Sequence, residues 1–223
     1  MINDRKSAKL AQIYDLLYEV YGECECPLVH RDPFELLVAV ILSAQCTDKR
    51  VNIITPGLFA AFGTPEKMAA APVNEVFELI KSSGLAQSKA KNIVGAAQML
   101  VSEFDSQVPS EMEKLLLLPG VGRKTANVML SNAFKKPGFP VDTHVRRLLL
   151  RLGLSRSDDP EKLEFMVNCR MDGGKLGNFS HLLIFHGRAV CSARSPKCGE
   201  CVLKNICRIG KKNGKFEKKI PQN

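Results

Sequence analysis

Apolar residues along this chain recur mostly at three- and four-residue intervals, the period of one helix face. Leu10, Ile13, Leu17 and Val20 put such a face on a helix over residues 7–21. Asp32, Pro33 and Glu35 read as an N-cap, a proline at the first helical position and a capping-box acid, and an apolar run to Leu42 follows. Thr47 is placed to cap the next helix, which Pro56 is expected to break or kink. Thr64-Pro65-Glu66 starts another. The pattern predicts a helix over 73–82 ended by Gly84, then a long amphipathic helix over 88–104. Ser110-Glu111-Met112-Glu113 reads as a second capping box. Leu118-Pro119-Gly120-Val121-Gly122 makes a tight turn into a helix from about Arg123 to Phe134. Lys135-Lys136-Pro137-Gly138 is a linker, and Asp142 precedes a helix to Leu152. Pro160 opens another helix, and residues 175–190 read as a buried one. Strand signals are scarce and no repeat occurs, so the fold class expected is all-α, with roughly ten or eleven helices.

Composition changes this picture little. A chain of 223 residues, 45% of them hydrophobic, fills one good core or two smaller ones sharing an interface. No run of about eighteen apolar residues exists, so no membrane span is expected. The segment from Met1 to Gln12 lacks an apolar signal core, and the expectation is a soluble, cytoplasmic protein.

Charge narrows the partners. The net charge is +9, and from His181 to Asn223 there are ten Lys/Arg against two acidic residues. Nearly the whole surplus therefore lies in the last fifth of the chain. Such a surface suits a polyanion and would bind it less tightly as salt rises; a solvated basic tail is the plainer alternative.

The turn at residues 119–122 is the first candidate for chemistry. Gly120 and Gly122 are expected to adopt backbone conformations closed to other residues and to let the chain approach a ligand closely. With Val121 between them, they lead to the start of a helix whose first amides lack intrahelical partners and carry partial positive charge. That arrangement binds a phosphate without reading a base, and Arg123 adds a full charge. A purely structural helix–turn–helix would also use these residues. A nucleotide-binding P-loop is excluded: Arg123 separates Gly122 from Lys124, Leu117 stands where the first glycine belongs, and no strand precedes the turn. Lys124 falls in the first turn, where the helix dipole opposes positive charge; this position and an expected partial burial favour a neutral amine able to act as nucleophile. Asp142 follows after a short linker and reads as an N-cap, a role compatible with chemistry. The plainer alternative for Lys124 is a phosphate contact.

Eight cysteines are present, at positions 24, 26, 46, 169, 191, 198, 201 and 207. Cys191, Cys198, Cys201 and Cys207 form C-x6-C-x2-C-x5-C, a cluster that points to metal in a reducing compartment. Structural zinc favours two close pairs; here only Cys198 and Cys201 make one, so a [4Fe–4S] cluster fits better, with zinc left open. Arg194 and Lys197 lie between the first two ligands and would be held toward a phosphate backbone. His181 and His186 are five apart, off helical ligand spacing, and read as packing or substrate-lining residues. The other four cysteines read as free thiols.

Together LPGVGRKTANVML (118–130), VDTH (141–144) and the cysteine loop resemble the endonuclease III family of helix-hairpin-helix DNA glycosylases. FELLVAVILSAQCTD (34–48) and GLAQSKAKNI (84–93) extend the resemblance over nearly the whole chain. It implies two helical domains flanking a DNA-binding cleft: a six-helix barrel over 26–136 and a cluster-bearing domain of 1–25 with 137–223. It implies removal of oxidised pyrimidines from double-stranded DNA and cleavage 3′ to the abasic site, by a monomer acting at the nucleoid. By position it makes Lys124 the Schiff-base nucleophile and Asp142 the catalytic carboxylate. Gln45 and Leu85 would fill the gap left by the extruded base and wedge the opposite strand, with Ser43, Asp48 and His144 in the pocket. The related adenine-specific mismatch glycosylases typically lack the lysine at position 124 and carry an extra C-terminal domain, so Lys124 separates the two readings. Cys46 departs from the family pattern, and the Lys-rich tail is longer than in the shortest members.

Overall fold

Eleven α-helices carry residues 4–210, the part of the chain that the computed structural model describes, and no strand occurs among these residues. The Lys-rich segment from Lys211 onward lies outside them. In chain order the helices are α1 (Arg5–Tyr21), α2 (Pro33–Ser43), α3 (Asp48–Phe62), α4 (Pro65–Ala69), α5 (Val73–Ile80), α6 (Ala86–Glu103), α7 (Met112–Leu115), α8 (Arg123–Asn132), α9 (Thr143–Arg151), α10 (Pro160–Asn168) and α11 (Leu176–Ala189). The all-α expectation is met. None of the described helices is long and apolar enough to cross a membrane. The chain divides into two compact units, Cys26–Gly138 and Met1–Glu25 with Phe139–Asn223.

In the unit of residues 26–138, α2 is buried on every side from Phe34 to Leu42. It is the central helix, which explains why its apolar run has no polar face. Around it pack α3, α6 and α8, and α6 also covers α4 and α5. Leu37, Leu58, Met68, Ile80, Ile93, Leu118 and Met129 fill the core between them. Each such side chain stabilises the unit by about 1.5–3 kcal/mol.

Two expectations about helix starts are corrected. Asp32 does cap α2, accepting from the Glu35 amide at 2.9 Å. Glu35, however, does not reach back to Asp32; its carboxylate takes the amide and Nε of Arg31, each at 2.8 Å. A buried carboxylate gains more from a guanidinium than from an amide alone. Ser110 caps nothing: α7 starts one residue later, at a Glu111 N-cap without a side-chain bond. The Ser110 hydroxyl accepts instead from Lys136 Nζ at 2.6 Å. Of the break or kink expected at Pro56, the break does not occur, since α3 runs on through it. The proline leaves one backbone bond unmade and crowds the carbonyl four residues earlier, that of Asn52.

The other unit is built on α11. Phe179, Leu182 and Leu183 meet Leu10, Ile13 and Leu17 of α1 and Val145, Leu148 and Leu149 of α9, and the rings of Phe139 and Phe179 stack at 5.8 Å. Asp4 starts α1 with a full capping box, and Gly22 ends it at φ +67°. Among the described residues from 190 to 209, the regular structure is a single turn at Cys198–Glu200.

Candidate functional site

The two glycines of the 119–122 turn do different jobs. Gly120 sits at φ +80°, and a Cβ there would lie 2.8 Å from Cβ of Asn92 on α6. Backbone strain and space both demand glycine at that position. Gly122 has an extended backbone, φ −96° and ψ 176°, open to any residue, which corrects the expectation of a special conformation. A Cβ on Gly122 would meet nothing within 4 Å. What its missing side chain provides is open space beside the start of α8. No side chain caps that helix, and its first turn presents the amide donors of a helix N-terminus. Val121 is 7% exposed and packs into the core, so only its backbone faces the turn. Arg123 and Lys124 are exposed. The partial burial expected of Lys124 is therefore not found; it lies in the first turn of α8, at the positive end of the helix dipole. The charges of both Lys124 and Asp48 reach the Cys26 thiol, in opposite senses, so these two candidate residues share one region of the unit. Burial is the larger influence on Cys26 and pushes its thiol up.

Asp48 is the first residue of α3, which Thr47 caps through a bond from the Arg50 amide. Ser43 ends α2, and its hydroxyl donates to the Val40 carbonyl at 2.8 Å, leaving only acceptor capacity for a ligand. Gln45 and Leu85 are both exposed, and both hold φ +52°. The left-handed region costs such residues about 1–2 kcal/mol, so two exposed side chains are held at a cost in strain.

In the second unit, Asp142 is the N-cap of α9, its Oδ1 accepting from the Val145 amide at 2.8 Å. The cap occupies one carboxylate oxygen and leaves the residue half-buried. His144, also half-buried, has Nδ1 3.0 Å from an Arg147 nitrogen. Burial first, then the neighbouring Arg147 and Arg188, hold its pKa below the usual imidazole value against the pull of Asp142.

Cys191, Cys198, Cys201 and Cys207 line one cavity, together with Arg151, Lys197 and Lys204. Among the described residues no three His, Cys, Asp or Glu side chains converge to hold a single ion. Four thiols ringing a cavity suit a larger guest, and thiolates are the ligands of iron–sulfur clusters. Burial pushes the Cys201 thiol up, and the other three sulfurs add to that. A cationic guest reverses this, because it favours the thiolate form. The loop is tied down by side chains of α9 and α11. Arg151 donates to the Ser192 and Ala193 carbonyls, both at 2.7 Å, and lies 3.3 Å from the Cys191 sulfur. Arg147 donates to the Cys191 and Gly187 carbonyls. His186 is 2% exposed, with Nε2 3.3 Å from the Cys201 sulfur and Nδ1 3.1 Å from the Tyr21 hydroxyl. Arg147 and Arg151 stand four apart on α9, the one available hint that they share a face. Arg194 and Lys197 are exposed on the loop so held.

Residues 38–169 match the HhH-GPD superfamily of base excision DNA repair proteins, and residues 191–207 match the iron–sulfur binding domain of endonuclease III. The endonuclease III of Synechocystis sp. is 48% identical over 203 residues, 91% of this chain and 93% of that protein. Two solved structures, a non-covalent endonuclease III–DNA complex and a trapped endonuclease III–DNA covalent intermediate, each match with a TM-score of 0.88 and 41% identity. Each match covers 96% of this chain and 100% of the other.

Proposed function

The chain belongs to the endonuclease III family, bifunctional base-excision glycosylases and abasic-site lyases that carry an iron–sulfur cluster, and from that premise we propose which of its residues bind and cut DNA. The observation that carries the reading is Lys124, exposed in the first turn of the uncapped α8, beside the open space at Gly122. The α8 amides, Gly120, Val121 and Gly122 through their backbone, and Arg123 take a DNA phosphate. Arg194 and Lys197 add contacts to the backbone. Gln45 and Leu85 enter the stack around an extruded nucleotide, and Ser43, Asp48 and His144 contact its base. Cys191, Cys198, Cys201 and Cys207 hold the [4Fe–4S] cluster, which keeps this loop folded.

The substrate class is double-stranded DNA with an oxidised pyrimidine or an abasic site. Such bases stack poorly, so extruding them costs less. The neutral amine of Lys124 attacks the sugar C1′ as the C1′–base bond breaks, and the departing base takes a proton. Asp142 stabilises the positive charge developing on the sugar and shuttles protons. The C1′–O4′ bond then opens as O4′ takes a proton and the lysine nitrogen forms an iminium with C1′; this acidifies the C2′ hydrogen, whose loss expels the 3′ phosphate and cuts the strand. Hydrolysis of the imine then frees the lysine. The protein acts as a monomer on the DNA of the cytoplasmic nucleoid.

The test is single-turnover base release and nicking on duplexes that differ only in the target base: an oxidised pyrimidine, an oxidised purine, an unmodified pyrimidine or an abasic site. Release is expected from the oxidised pyrimidine, and nicking there and at the abasic site. Preference for the oxidised purine would overturn the substrate class.

A further inference from the structure

Lys89 is the one lysine among the described residues that is fully buried, 4% exposed on the first turns of α6. Lysine is rarely buried without a charged partner. Here no carboxylate influences it: burial lowers its pKa, and the only opposing charge is that of Cys46. The ammonium donates instead to two backbone carbonyls, Leu42 O at 2.8 Å and Ser83 O at 2.7 Å. Both carbonyls lie at the C-terminal ends of helical segments, where partial negative charge gathers. Methionine or leucine would fill the same volume without desolvating a charge.

The two carbonyls share a second property. Leu42 stands three residues before Gln45, and Ser83 two residues before Leu85. Gln45 and Leu85 are the exposed residues held in the left-handed region at φ +52°. The loops that carry them also touch: a Cβ on Gly84 would lie 3.7 Å from Gln45 O. One buried ammonium thus ties together the bases of two adjacent strained loops, each presenting one exposed side chain.

We propose that Lys89 is a positioning residue for base extrusion, which fixes the spacing between Gln45 and Leu85 so that both enter the DNA stack together. This rests on the reading that those two side chains enter DNA. A misplacement of the order of an ångström in a pre-organised site costs as much as about a hundredfold in rate. Opening a duplex needs the spacing; cleaving an abasic site in a single strand, where no pair is opened, does not.

The experiment compares two rates. One is extrusion in a duplex with an oxidised pyrimidine beside 2-aminopurine, followed by its fluorescence rise. The other is cleavage of a single-stranded abasic oligonucleotide. For Lys89→Met the duplex-to-single-strand ratio is expected to fall about ten- to a hundredfold. For Lys89→Gln, whose amide can serve one carbonyl, the fall should be smaller. Adding Lys89→Met to the Gln45→Ala/Leu85→Ala variant should cost no more than about twofold further, because the effect runs through those two residues. An equal loss on both substrates would make Lys89 a folding element, as would failure of both Lys89 variants to fold, and either result overturns the proposal. So would an unchanged ratio, or a full further loss in the combined variant. Normal extrusion by the Gln45→Ala/Leu85→Ala variant would remove the underlying reading instead, a result told apart by its independence of Lys89.

Discussion

The unit of residues 26–138 and the cysteine loop of the other unit are held together by different physics. In the first, a helix buried on every side gathers the others around it, and side-chain burial accounts for the fold. The candidate residues Gln45 and Leu85 are then set on this base, exposed and strained. In the loop from Cys191 to Cys207 almost nothing is fully buried, Leu203 being the exception. Guanidinium groups of α9 grip its carbonyls, and four thiols face a common cavity. A hydrophobic core supports exposed functional groups without help, whereas a short irregular loop needs a guest to close it.

The largest expected effect tests the loop's side of this contrast. In Cys201→Ser the broad absorbance near about 400 nm should be lost, and protease should cut between residues 191 and 210 at least about tenfold faster, while 26–138 stays resistant. Mass spectrometry of the fragments reads this directly. A loop as protected without its cluster as with it would show that the arginine clamps suffice, and the contrast would fail.

A smaller effect separates stability from binding inside the 26–138 unit. Gly120→Ala introduces both strain and a clash with Asn92, and thermal melting should show a loss of about 1–3 kcal/mol. Gly122→Ala fits its backbone and meets nothing, so stability should change by no more than about 0.5 kcal/mol. DNA affinity should nevertheless drop roughly tenfold as the phosphate loses its approach to the α8 amides. Titration of both variants with a duplex checks this; tight binding by Gly122→Ala would remove the phosphate from the turn.

Much of this was legible along the chain because it depends on neighbours in sequence. Asp4 and Asp159 aside, the caps at Asp32, Thr47, Thr64 and Asp142 could be read from residue types, as could the cysteine loop. Asp142 could even be given two roles at once, since a cap needs only one carboxylate oxygen. What could not be read depends on distant partners. Nothing near Lys89 in sequence announces that its ammonium will find Leu42, and nothing near Arg151 announces Ser192. Gly120 and Gly122 look equivalent until Asn92 is placed beside the first. Glu35 looks like a capping-box acid until burial makes Arg31 the better partner.

The central claim is that Lys124 is the nucleophile, and borohydride reduction during reaction with an abasic duplex tests it most directly. The wild-type protein should yield a covalent adduct whose cross-linked peptide maps to Lys124. Lys124→Ala should bind the duplex nearly as well, form no adduct, and cleave at least about a thousandfold more slowly. An adduct that persists at wild-type yield in Lys124→Ala, mapped to another amine, would contradict it.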